Sequence, residues 1–203
     1  MMLKRKLCPG LLLVLLLALT SCGPRTLSSQ DYKELVISTL QGKASEEGLH
    51  PLPGLIPSLK RLFDSLYCAE YNCGIAYEMN YAAEAAQREL YNIIEYRARI
   101  CDSKRVRPAA EMQLTHEEIC KILERIEDDI DALLITTRYA VKILVGYDDL
   151  TEAQEATKSF SRKIMELKEA IIEALRELQT IAWLAPIFEG VGAEIPELQT
   201  EKE

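Results

Sequence analysis

From residue 119 the apolar positions fall on two seven-residue tracks, Ile119, Ile126, Leu133, Ala140 and Leu123, Ile130, Thr137, Leu144. Tracks four residues apart merge into one stripe along a helix, so this stretch is expected to pack lengthwise against its neighbours. Thr115 and Glu118 form a capping box ahead of the stripe, and Gly146 supplies the stop. A second stripe runs through Ala153, Thr157, Phe160, Ile164, Leu167, Ile171, Ala174, Leu178, Ile181 and Ala185. Thr151 and Gln154 cap it and Pro186 breaks it. Each helix should be about 45 to 50 Å long. The turn GYDDLT between them is short enough to force an antiparallel pair.

Upstream, residues 74–101 carry Ala83, Ala86, Leu90, Ile93 and Ile100 on one side and predict a third long helix. Ser28 with Asp31 opens a short helix through YKELVISTLQ that Gly42 closes. The segment KASEEGLHPLPGLIP then reads as a loop, with Pro57 suited to the first turn of a helix that begins near Leu55. No run alternates apolar and polar residues between hairpin turns, so no sheet is expected. The fold class is therefore all-α: an antiparallel helical bundle of three long helices plus one or two shorter ones. It should occupy residues 30–188, with 189–203 as a loose acidic tail. MNYAAEAAQRELY has the flavour of a tetratricopeptide unit, but no second copy follows and the helices are too long for that repeat.

The chain opens differently. Lys4, Arg5 and Lys6 precede an apolar run over residues 7–19, which at 13 residues falls short of the roughly 18 to 20 that a spanning helix needs. This is the pattern of an export signal. Its end, Leu19-Thr20-Ser21-Cys22, resembles the lipobox of bacterial lipoproteins. The resemblance covers the leader alone. It implies that the Cys22 thiol receives a diacylglycerol, that the peptide is cut between Ser21 and Cys22, and that the new amine is acylated. Residues 1–21, with Cys8, would then be discarded, and 22–29 would be the lipidated N-terminus and tether. Multiple acyl chains hold a protein far more firmly than one. Gly23, where an Asp would favour the inner membrane, implies an outer-membrane anchor with the domain facing the periplasm. In a single-membrane bacterium the same signal implies the outer face of the cell membrane.

Composition is that of a globular domain, 48% hydrophobic and 28% charged over 203 residues. Three of the 24 basic residues lie in the leader, leaving 21 against 32 acidic residues, a balance of -11. Nucleic acid is therefore not an expected partner, and the domain has no overall basic field for anionic lipid.

Four cysteines remain, Cys68, Cys73, Cys101 and Cys120, and an exported chain with an even count favours two disulfides out of three connectivities. Cys101 ends one long helix and Cys120 lies early in the next, so an antiparallel hairpin sets them opposite one another. Cys68 and Cys73 pair only if the helix breaks between them, since five helical residues separate Cα atoms by about 8 Å. Buried reduced thiols and crossed pairing are the alternatives.

Other chemistry is thin. His116 and Cys120 share a helical face, but a disulfide would consume the thiol, so neither a metal nor any other cofactor is expected. Nucleophile, phosphate-loop and dinucleotide motifs are absent from the sequence, and no catalytic residue is nominated. Within ERIEDDID, the acids Glu124, Asp128 and Asp131 share a face that reads as a solvated exterior. Two clusters are candidates for a partner surface. Tyr67, Tyr71, Tyr77, Tyr81, Tyr91 and Tyr96 lie within thirty residues, where Tyr serves interfaces and bundle edges alike. Arg97, Arg99, Lys104, Arg105 and Arg107 gather at a helix C-terminus and its loop, placed to offset the macrodipole or to meet phosphates or an acidic partner. The expected function is that of a lipid-anchored, non-catalytic docking or scaffold module with an envelope protein as partner. The rival expectation is a small-ligand carrier or sensor with a pocket lined by Tyr77, Tyr81 and Trp183.

Overall fold

A computed structural model describes residues 26–43, 49–55, 57–58, 60–61, 75–144 and 150–188. Cys22 and Ser21 of the expected leader junction, Cys68, Cys73, Tyr67, Tyr71, Gly146 and the expected tail, residues 189–203, lie outside the described residues. The chain is all-α in class, with helices α1 (Ser29–Leu40), α2 (Ile75–Cys101), α3 (Gln113–Leu144), α4 (Leu150–Thr180) and α5 (Ala185–Phe188). α3, with 32 residues, is about 48 Å long. It is the shared partner of the other two long helices, with α2 packed along one flank and α4 along another.

Both tracks of α3 point into this core. Ile119, Leu123, Ile126, Ile130, Leu133, Thr137 and Ala140 are all buried. Thr137 is tolerated there because its hydroxyl donates to the carbonyls of Leu133 and Leu134, at 2.9 and 3.0 Å. From α4 come Ile164, Leu167, Ile171, Ala174, Leu175 and Leu178, and from α2 come Ala82, Ala86, Ile93, Tyr96 and Ile100.

α1 begins as its sequence predicts. The Ser28 side chain accepts from the Asp31 amide at 3.1 Å and donates to the Asp31 carboxylate at 2.7 Å. Gly42 ends the turn after it at φ 69°, where a Cβ would run into the Leu49 carbonyl. A 3-10 turn over Leu52–Gly54 follows, and Leu55 is helical, as expected.

Three local expectations are corrected. The sheet-free reading missed a two-residue parallel pair, β1 (Thr26–Leu27) with β2 (Arg107–Pro108), extended by the Ala109 amide donating to the Leu27 carbonyl at 2.9 Å. Such a pair is too short to show a period of two; it forms because the N-termini of α1 and α3 meet in space. Thr26 and Leu27, assigned by sequence to the tether, thus belong to the folded body. Second, Thr115 and Thr151 are not helix caps. α3 starts at Gln113 behind a 3-10 turn, Ala110–Met112, whose Met112 is buried, and α4 starts at Leu150. Third, α4 stops at Thr180 rather than at Pro186. Three-residue hydrogen bonds, such as Leu184 N–H to Ile181 O at 2.7 Å, tighten the chain there. The turn folds Leu184, Ile187 and Phe188 over the end of the core, and Pro186 sits in the first turn of α5, where a missing N–H costs nothing.

Candidate functional site

The antiparallel order places the start of β1 and α1, the end of α2, the start of α3 and the end of α4 at one end of the bundle. Cys101 and Cys120 are joined there by a disulfide, with Cα atoms 5.8 Å apart. Beneath the bond, His116 on α3 meets Tyr32 on α1. The Tyr32 hydroxyl lies 3.0 Å from His116 Nδ1, and the two rings cross edge to face at 5.5 Å. Trp183, in the turn after α4, stacks edge-on against the other side of Tyr32 at 6.4 Å, and Lys33 Nζ lies 6.0 Å over its ring. One fully buried tyrosine therefore ties α1, α3 and the end of α4 together.

Burial pushes the Tyr32 phenol well up, so it keeps its proton, and burial lowers the His116 imidazole below its ordinary value. A neutral ring can accept the phenol proton at Nδ1; a protonated one cannot. The contribution of this ring is complete above the ordinary imidazole range near pH 6.5 and is lost as pH falls through the lower folded value. Urea midpoints measured from pH 7.5 down to pH 5 should therefore fall more steeply for the native chain than for His116→Gln. Equal slopes would remove His116 from the account.

The sequence-nominated basic cluster divides. Arg97 bridges Glu124, at 3.3 Å, and Glu127, whose Oε2 lies 2.8 Å from Arg97 Nε as an ion pair without an aligned hydrogen bond. Arg99 pairs with Glu95 at 2.6 Å. Arg97 thus ties α2 to α3, while the Arg99 pair lies within α2 itself. Lys104, Arg105 and Arg107 instead stand exposed on the loop of residues 102–106 and on β2. Within that loop Asp102 accepts from the Lys104 amide at 2.9 Å and pairs with Arg105 at 3.4 Å.

The tyrosines divide too. Tyr96 is buried in the core, while Tyr81 and Tyr91 are 42% and 54% exposed; the Tyr77 side chain lies outside the description. Tyr81 sits near the start of α2 and Trp183 against Tyr32 at the opposite end, separated by most of a helix about 40 Å long. The pocket expected between Tyr81 and Trp183 therefore does not form. Glu124, Asp128 and Asp131 are exposed, as the sequence predicts.

On the outer face of α2, sequence reasoning nominated Tyr91 and missed Ile94. Ile94, 45% exposed, borders a groove with Ala98, Cys101, Cys120 and Glu124, while Tyr91 borders a second with His50, Glu84 and Arg88. It also missed Glu89, buried with Asn92, whose amide donates to it at 3.3 Å. The signal was present: Ala82, Ala86, Glu89, Ile93, Tyr96 and Ile100 keep the four-three spacing of a core seam.

Among the described residues no three His, Cys, Asp or Glu side chains gather as a metal site, and no helix is long and apolar enough to cross a membrane. Comparison of the chain with protein families, with characterised proteins and with solved structures returns no match.

Proposed function

We propose that the protein is a lipid-anchored, non-catalytic docking module of the bacterial envelope, held by acyl chains on Cys22 and presenting the outer face of α2 to a protein partner. The observation that carries this reading is the pair of grooves on that face, one bordered by the exposed Ile94 and the other by the exposed Tyr91. Large apolar side chains flanked by Arg88 and Arg97 have the composition of an interface centre with a polar rim. The lipobox supports the anchor.

A photoreactive amino acid at Ile94, introduced into the full chain in the producing cell, should give a discrete crosslinked species, and Tyr91→Ala should reduce its yield. The same probe at Glu173, exposed on α4, should not give it. Identical products from both positions, or none from Ile94, would refute the docking reading. Metabolic labelling with a fatty-acid analogue tests the anchor separately, and label that persists in Cys22→Ala would sink it.

A further inference from the structure

We propose that the end of the bundle bearing Lys104, Arg105 and Arg107 is its membrane-facing end, and that these three side chains bind the head groups of anionic phospholipid and stand the bundle upright. This inference rests on the anchor reading of Cys22.

The geometry begins at β1. Only Gly23, Pro24 and Arg25 separate Cys22 from Thr26, the first residue fixed by pairing. Four residues at about 3.5 Å each give a reach of about 14 Å at full extension. Because β1 and β2 are parallel, with Thr26 opposite Arg107, the residues that precede the two strands lie on the same side of the pair. The chain from the anchor therefore enters beside the loop of residues 102–106, which precedes β2. Lys104, Arg105 and Arg107 are exposed at that entrance; of the acids at this end, Asp102 is engaged by Arg105, while Asp31, Glu111, Glu117 and Glu118 are exposed on the turns and helices that follow. An anchored chain thus holds this end within about two Debye lengths of the bilayer surface.

Charge then decides the attitude. A rod about 48 Å long on a 14 Å leash can lie on its flank or stand on its end. The long helices carry exposed acids such as Glu124, Asp128 and Asp131, so lying down brings an acidic helix face against an anionic surface, while standing brings the loop of Lys104, Arg105 and Arg107. Both terms turn the bundle the same way. Standing also leaves the α2 face open along its length.

The test uses the full lipidated protein, purified in detergent and reconstituted into vesicles of phosphatidylcholine alone or of three parts phosphatidylcholine to one part phosphatidylglycerol. Intact mass reports the lipid on Cys22, and hydrogen exchange reports the amides of residues 102–109. With phosphatidylglycerol, exchange in this segment should slow by about fivefold or more, and high salt should erase the difference. The triple variant Lys104→Gln/Arg105→Gln/Arg107→Gln should lose the protection, whereas Lys142→Glu, at the far end of the bundle, should keep it. Exchange that is equal in the two vesicles while Cys22 carries lipid would overturn this inference and leave the anchor standing. A Cys22 without lipid would overturn both.

Discussion

Replacing Cys101 and Cys120 together by serine is expected to lower the unfolding free energy by about 3 kcal/mol, because the bond closes a loop of about twenty residues in the unfolded chain. The sequence separation is 19, and the two Cα atoms already stand 5.8 Å apart at the mouth of the α2–α3 hairpin. The substitution removes a restraint from the unfolded ensemble more than it removes contacts from the folded one. Urea denaturation of the double variant against the oxidised native chain measures the loss. A midpoint that does not move would show that the hairpin persists in the denatured chain and makes the crosslink redundant.

The second large effect belongs to Tyr32. Tyr32→Ala should cost about 3 to 5 kcal/mol, since it empties a fully buried aromatic site that three elements share. Tyr32→Phe keeps the ring and its edge contacts, and loses only the bond to His116. Its cost should be about 1 kcal/mol. Thermal or urea unfolding of the two variants separates packing from hydrogen bonding. If Phe costs as much as Ala, the polar contact and not the ring holds α1 in place.

The long helices were legible because burial repeats. Ile119 to Ala140 and Ile164 to Leu178 each place a large apolar residue every three or four positions over many turns, and a signal of that length survives local exceptions. The same regularity located the disulfide, since the ends of two adjacent antiparallel helices have to meet. What escaped depended on partners distant in sequence. β1 and β2 are two residues each and exist through one another. Tyr32 looked like one more tyrosine at a helix start, and only the return of α3 and the end of α4 to that place makes it a keystone. The end of α4 was misplaced because the apolar seam continues through Ile181 to Ala185, a stretch in which Ile181 and Leu184 are buried. Periodicity records that these residues are buried, and a tight turn buries them as well as another turn of helix would.

The candidate surface was half legible. The basic loop stands out by composition. The exposed Ile94 does not, because an isoleucine in a helical stripe is ordinarily taken for core, and only the position of α3 shows that it faces outward.

The Tyr32 to His116 contact spans 84 residues, whereas α2, α3 and α4 each pack on their neighbours in the chain. Consecutive antiparallel helices assemble through local contacts with little loop to close, which is the quick kind of folding. The first helix also packs on the next long helix, α2, but across a longer stretch of intervening chain. It is made before the elements that bury Tyr32, Val36 and Leu40, so its apolar face is covered only once α2, α3 and the end of α4 are in place. β1 and β2 likewise pair across a long separation in the chain, so their pairing is expected to close the structure rather than to seed it.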